Sequence, residues 1–167
     1  MTGILVFGYG NPGRGDDALG PQFVAHLERE GVDAAVECLT DMQLQVEHVT
    51  DLVGRGLLLF VDADAACAPP FRLSRIHAGR DTSYTSHAMS PEALLYAYRQ
   101  VYGTEAPPAF LLSIRGYGFT LGEPLGQWAE ANLEAALARV RELCVDADPG
   151  HWQRAVDAAA AMEACAR

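Results

Sequence analysis

Short apolar runs alternate with longer amphipathic segments along the chain, and this pattern predicts strands that alternate with helices. Five apolar runs predict strands, at 3–8, 34–39, 57–61, 71–77 and 109–114. The run at 57–61 is apolar throughout and ends at Asp62, which is typical of a strand buried on both faces of a sheet. Glycine and proline punctuate the loop at 9–15, directly after the first strand.

The segments between these runs carry apolar residues at helical spacing. The pattern predicts helices opening at Asp16-Asp17, over 42–53, from Ser90 to about Tyr102, and along the stripe from Leu125 to Val140. The candidate core positions of the first helix are Leu19, Phe23, Val24 and Leu27. Those of the second helix are Leu44, Val46, Val49 and Val53. Those of the fourth helix are Leu125, Trp128, Ala129, Leu133, Ala136, Leu137 and Val140. A last alanine-rich helix over 150–166 is a candidate for a loosely docked tail.

Alternating strands and helices predict an α/β fold, a three-layer α/β/α single domain over 1–167 with a twisted, mostly parallel sheet. Ligands of such sheets bind at the carboxyl ends of the strands, where the strand order reverses. In a 2-1-3-4-5 order this crevice lies between the first and third strands. The loops that border it are then 8–17 and 62–67.

Charge and cysteine content narrow the functional classes. The chain has 12 basic residues, all of them arginine, against 22 acidic ones, for a net charge of −10. Such a surface repels nucleic acid and anionic membranes, and the absence of lysine excludes a lysine Schiff base and a Walker-type phosphate loop. Four cysteines without a C-x-x-C pair, and an N-terminus without signal-peptide features, predict a cytoplasmic protein with reduced thiols.

The stretch 8–13 fits the G-x-G-x-x-G pattern of dinucleotide-binding proteins, and Glu37 lies near the spacing of a ribose-binding acid. A dinucleotide-binding oxidoreductase is therefore one hypothesis. Asp16 and Asp17 oppose it, because they occupy the helix terminus where a pyrophosphate would bind.

Acidic residues and one histidine converge on the predicted crevice. Asp16 and Asp17 either cap the first helix or face the crevice. Asp62 ends the buried strand, and Asp64 competes with it for the same role. His87 lies in a polar loop before a capped helix. Asp17, Asp62 and His87 together offer two carboxylates and an imidazole, which suit a divalent transition metal with open coordination positions.

A thiol dyad of Cys67 with His87 is a weaker alternative for hydrolytic chemistry. Small cysteines that follow buried strands are mostly inert, because burial disfavours the reactive thiolate. The sequence therefore favours the carboxylates over the thiol as the reactive groups.

The chain resembles the hydrogenase maturation endopeptidases, which process the nickel-bearing large subunit of NiFe hydrogenases. The resemblance is carried by residues 4–20, with a strand, a G-x-G-N loop, an acid pair, a small residue and a glycine. It extends to residues 60–63, around Asp62, and to Ser86-His87 before the next helix. Residues 39–43 and 114–119 depart from stretches that many members carry, which leaves open which hydrogenase is processed.

The resemblance implies a metal-dependent, aspartate-type endopeptidase that removes the C-terminal extension of the large-subunit precursor after nickel insertion. It implies that Asp17, Asp62 and His87 form both the metal-contacting and the catalytic set. The nickel would come with the precursor, and other divalent metals would substitute for it in isolation. We expect a monomer whose partner is this precursor. A nickel-binding accessory protein without hydrolytic activity is the second hypothesis, and the oxidoreductase is the third.

Overall fold

A computed structural model describes residues 3–80 and 89–166 of the chain. The five strands are β1 (Ile4–Tyr9), β2 (Val36–Asp41), β3 (Leu57–Asp64), β4 (Phe71–Ile76) and β5 (Ala109–Arg115). The four α-helices are α1 (Leu19–Arg29), α2 (Pro91–Tyr102), α3 (Gln127–Leu143) and α4 (Pro149–Cys165). Two short 3₁₀ helices, Gly15–Ala18 and Val46–Leu52, complete the described elements.

The strands form one sheet in the order β2-β1-β3-β5-β4. The first four of these are mutually parallel, whereas β4 runs antiparallel to β5 at the edge. The predicted α/β class with a mostly parallel sheet is confirmed, but the 2-1-3-4-5 order is wrong for the last two strands. Residues 65–70 are too short for the crossover that a parallel neighbour of β3 requires, so β4 turns back and β5 takes the inner position.

Two apolar layers cover the sheet, one on each face. Side chains such as Val6, Leu59 and Phe110 pack with α1, α3 and the start of α4 on one face. Phe7 and Phe60 pack with the second 3₁₀ helix and α2 on the other face. Because alternate residues of β1 and β3 enter different layers, both strands read as continuous apolar runs.

The predicted helix over 42–53 is wrong in extent and in face. Only Val46–Leu52 is helical, and it is a 3₁₀ helix. Its tighter winding moves Val46 and Val53 outward, to 49% and 48% exposure, and leaves Leu44, Val49 and Leu52 as the buried positions. The prediction that Trp128 is a core residue is also wrong, because its side chain lies exposed at the start of α3.

The last helix is anchored at its beginning. Trp152 is fully buried and packs its ring 5.6 Å from that of Phe110 in β5. Residues 157–166 are exposed. No helix within 3–80 and 89–166 has the length and apolar character needed to cross a membrane.

Candidate active site

The loop after β1 turns back sharply at Gly10 and brings Asp17 to the carboxyl edge of the sheet. Gly10 has a φ of +146°, and a Cβ there would lie 2.1 Å from the carbonyl oxygen of Asp17. Only glycine permits this conformation and this close approach. The Asp17 carboxylate then accepts a 2.7 Å hydrogen bond from the backbone N–H of Asn11, which fixes it over the end of β1.

The adjacent acid, Asp16, has a different role. It is buried, and its carboxylate accepts hydrogen bonds from the backbone N–H groups of Tyr117, Gly118 and Gly126, at 2.7, 3.0 and 2.9 Å. Neither acid caps the helix that follows the loop: the first 3₁₀ helix and α1 both begin without a side-chain cap. The interpretation of this pair as caps of the first helix is therefore wrong. The two carboxylates contact different parts of the chain instead.

Asp62 lies at the end of the apolar part of β3, next to Tyr9 of β1. The register pairs Gly8 with Val61, so the following residues, Tyr9 and Asp62, are neighbours on the sheet. The Tyr9 hydroxyl hydrogen-bonds to the Asp62 carboxylate. Burial, with a smaller contribution from the nearby charge of Asp17, raises the pKa of Asp62 to about 7. Asp17 thus lies close enough for its charge to oppose the ionisation of Asp62.

Tyr9 was not singled out by the sequence, although its position before the G-N pair of the loop placed it at the crevice. Burial, followed by the charge of Asp62, raises the pKa of its hydroxyl, so Tyr9 stays protonated and remains a donor. Glu92, in the first turn of α2, also acts on this hydroxyl electrostatically. The site therefore includes a phenol that is set among carboxylates.

Asp64 and Cys67 belong to the turn that follows β3. The Asp64 carboxylate accepts hydrogen bonds from the backbone N–H groups of Ala66 and Cys67, at 2.8 and 3.2 Å. The Cys67 thiol points at the carbonyl oxygen of Ser113, 3.7 Å away, and burial raises its pKa. A turn-forming carboxylate and a protonated thiol fit structural roles, so Asp62 is the acid of this strand end that remains for chemistry.

A second polar pair, Asp41 and His48, lies at the same edge and was missed in the sequence. Asp41 is the register partner of Tyr9, on the strand next to β1. His48 Nε2 lies 3.1 Å from the Asp41 carboxylate, its Nδ1 accepts a 2.9 Å hydrogen bond from the backbone N–H of Gln45, and its ring packs edge-on against Phe7. The sequence pattern around His48 favours a helical surface residue. Its seven-residue separation from Asp41 carries no motif, so only the fold reveals the pair.

Two members of the predicted metal set, Asp17 and Asp62, meet at this edge, and the third, His87, lies outside the described residues. Within 3–80 and 89–166 no three His, Cys, Asp or Glu side chains are grouped to hold a metal ion. None of the ion pairs between described residues involves Asp17 or Asp62. Two neighbouring carboxylates without an arginine partner among the described residues offer oxygen ligands to a divalent cation.

The interpretation of Glu37 as a ribose-binding acid is wrong. Glu37 is exposed near the beginning of β2, where it pairs with Leu5 in the register, whereas the loop glycine Gly8 pairs with Thr40. Its carboxylate forms an ion pair with Arg55. The observed strand starts at residue 36 rather than 34, and this shift places Glu37 at the end of the sheet opposite to the glycine loop.

The fold was compared with proteins of known structure and sequence. No protein-family model and no curated protein sequence matches the chain. Several solved structures match it over most of their length. The NiFe hydrogenase maturation protease HycI from Thermococcus kodakarensis is 19% identical with a TM-score of 0.71, over 87% of this chain and 94% of that one.

Two further solved structures give the same result. The hydrogenase-maturating endopeptidase HybD from E. coli is 25% identical with a TM-score of 0.66, over 83% of this chain and 90% of that one. A hydrogenase 2 maturation peptidase from a Thaumarchaeota archaeon is 24% identical with a TM-score of 0.59, over 86% and 99% of the two chains. These likenesses confirm the resemblance found in the sequence: the chain has the fold of the NiFe hydrogenase maturation proteases.

Proposed function

We propose that this protein is an endopeptidase that removes the C-terminal extension of a NiFe hydrogenase large-subunit precursor once nickel has been inserted. The observation that carries the proposal is the pairing of Asp17 with Asp62 at the carboxyl ends of β1 and β3, in the fold of the maturation proteases. Ligands of parallel sheets bind at this place in the topology. The reaction adds water across one peptide bond and yields a carboxylate and an amine.

The nickel is part of the substrate, and Asp17, Asp62 and His87 are proposed to contact it. A cation beside two carboxylates favours their ionised forms, so Asp62 loses its proton when the precursor binds. The hydrogen bond from Tyr9 also favours the ionised form of Asp62, the form that would contact the metal. A bound divalent ion polarises a carbonyl oxygen or a water molecule, which is the chemistry that metal-assisted hydrolysis needs.

The proposed protease uses no cofactor of its own. The proposed enzyme acts in the cytoplasm as a monomer, on the precursor alone. Its net charge of −10 disfavours nucleic acid and anionic membranes as partners. The metal is required in the precursor, because two carboxylates and one imidazole form a weak, open site.

Mass analysis of a nickel-loaded precursor after incubation with the protein tests the proposal. The expected result is a large subunit that is shortened by its C-terminal extension, with the extension released as one peptide. The matched control is the same precursor prepared without nickel, which should stay intact. Nickel transfer without shortening would instead indicate the accessory protein, and cutting of the nickel-free precursor would contradict recognition through the metal.

A further inference from the structure

Large apolar side chains lie exposed on the segment that connects β5 to α3, beside the candidate active site. Tyr117 and Leu121 are 48% and 65% exposed, and Trp128, in the first turn of α3, is 67% exposed. Met42, which follows β2 across the crevice, is 59% exposed. The acidic centre is therefore flanked by apolar side chains on both sides of the crevice.

This connecting segment is held firmly although it has no regular secondary structure between 116 and 126. The Asp16 carboxylate binds three of its backbone N–H groups. Backbone hydrogen bonds add to this, from Asp16 to Gly118 at 2.7 Å and from Gly122 to Gly13 at 2.8 Å. The loop that carries Asp17 thus fixes the position of the exposed apolar side chains relative to the active site.

Tyr117 is held in place, because its hydroxyl accepts a 3.2 Å hydrogen bond from Asn132 and its ring lies 5.0 Å from the Arg115 guanidinium, whereas Leu121 and Trp128 are exposed without being needed to anchor α3. The helix α3 is anchored by other residues, among them Ala129 and Leu133, which are fully or almost fully buried. An exposed tryptophan and tyrosine on a rigid segment resemble the anchors of protein interfaces, where aromatic side chains contribute much of the binding energy. Clustered exposed apolar surface next to a site marks a place of interaction.

We propose that Tyr117, Leu121 and Trp128 form a docking face for the folded body of the hydrogenase large-subunit precursor. The inference rests on the proposed function and extends it, because it adds a contact outside the reacting peptide. A net charge of −10 disfavours a second copy and an anionic membrane as occupants. Arg115, the residue directly before the segment, hydrogen-bonds to the carbonyl oxygens of Cys67 and Gly116 and lies against the Tyr117 ring, so this arginine is not available to lipid headgroups.

The two tryptophans permit a direct test. Trp128 is exposed and Trp152 is fully buried, so 5-fluorotryptophan labelling gives one reporter on the docking face and one in the core. Unlabelled nickel-loaded precursor should shift or broaden the ¹⁹F resonance of Trp128 and leave that of Trp152 in place. Assignment comes from Trp128→Phe. The signal reports binding and not cleavage, so it remains informative even if no processing occurs.

Steady-state kinetics of surface variants provide a second test. Leu121→Ala with Trp128→Ala should raise KM for the precursor about tenfold and change kcat less than about twofold, since neither residue contacts the reacting groups. The matched control is Met162→Ala on α4, which removes a side chain of similar exposure, 75%, and should leave both constants unchanged.

The outcomes separate the two proposals. A shift of Trp128 without any processing would overturn the proposed function and retain the docking face. Processing with an unmoved Trp128 resonance and an unchanged KM would overturn the docking face. A shift that depends on protein concentration without precursor, or one produced by phosphatidylglycerol vesicles, would assign the face to a second copy or to a membrane and would also overturn the inference.

Discussion

The carboxylate of Asp16 accepts a 2.7 Å hydrogen bond from the backbone N–H of Tyr117, a residue that is distant in the chain. This bond, with those from Gly118 and Gly126, joins the loop after β1 to the segment after β5. Among the residues that the structure describes, the neighbouring Asp17 carboxylate accepts one hydrogen bond, from Asn11, and Asp17 remains only partly buried. The two adjacent aspartates therefore have different roles. Asp16 joins the two loops that border the crevice, and Asp17 can face a ligand.

This division predicts unequal effects on stability. Asp16→Ala should lower the free energy of unfolding by about 3 kcal/mol, because three N–H groups lose a charged acceptor within the protein. Asp17→Ala should cost about 1 kcal/mol, since one partly exposed bond is lost. Urea unfolding of both variants provides the measurement. Equal losses would show that the two acids are not distinguished as described.

The proposed catalytic set predicts large losses of activity, including for Asp17, whose removal should cost little stability. Asp17→Ala, Asp62→Ala and His87→Ala should each reduce precursor processing by at least about 100-fold, or roughly 2.7 kcal/mol of transition-state stabilisation. Circular dichroism should show an intact fold, because neither described acid belongs to the apolar layers. Asp157→Asn, at an exposed acid of α4, is the control and should process normally. Wild-type rates in all three variants would refute the site.

The raised pKa of Asp62 predicts a pH-dependent stability. In the unfolded chain its carboxyl ionises near its ordinary pKa of 3.8, whereas in the folded protein burial raises the pKa to about 7. Between these values the folded state holds a proton that the unfolded state has lost, so stability falls as the pH rises from about 4 to about 7. Asp62→Asn removes this loss and should stabilise the protein by roughly 1–3 kcal/mol at pH 8.

Thermal unfolding of wild type and Asp62→Asn at pH 4.5 and pH 8 checks the sign. The difference between the two proteins should be small at the lower pH and larger at the higher one. The same substitution at Asp64, whose carboxylate forms a turn, serves as a comparison and should not stabilise the protein at pH 8. A difference for Asp62→Asn that grows towards acid pH would contradict the assignment.

Tyr9→Phe isolates the hydroxyl that faces Asp62. The ring remains packed in the sheet face, and only the donor to the carboxylate is lost. Without this hydrogen bond the pKa of Asp62 should rise further, because the bond favours the ionised form. Processing at pH 7 should fall about threefold to tenfold, or roughly 0.7–1.4 kcal/mol, and should recover at higher pH. A uniform loss at every pH would indicate a packing effect instead.

The strand pattern, the loop after β1 and the position of Asp62 are readable in the sequence, because each depends on local apolar runs and their ends. The position of β4 depends on the shortness of residues 65–70, which a pattern of apolar runs does not weigh. The roles of Asp16 and Asp17 could not be separated, since the partners of Asp16 are distant in the chain. The Asp41–His48 pair was missed for a related reason, as it depends on a 3₁₀ helix that returns to the end of β2.

The glycine pattern at Gly8, Gly10 and Gly13 should not support binding of NAD or FAD. A dinucleotide places its pyrophosphate at the N-terminus of the first helix, and here the 3₁₀ turn that carries Asp16 and Asp17 precedes α1. Two unit charges of like sign at about 4 Å repel by roughly 4 kcal/mol at an effective dielectric constant of 20, whereas a helix terminus offers an exposed anion only about 0.3–1 kcal/mol. Repulsion therefore exceeds attraction.

Calorimetric titration with NAD in metal-free buffer tests this expectation, and heats no larger than those of dilution should result. The informative variant is Asp17→Asn, which removes one of the opposing charges without altering the glycines. If the variant also fails to bind NAD, the fold itself excludes the dinucleotide, as the distant position of Glu37 on β2 indicates. Saturable binding by the wild type at micromolar concentration would instead show that the carboxylates do not control this loop, and the oxidoreductase hypothesis would then replace the protease.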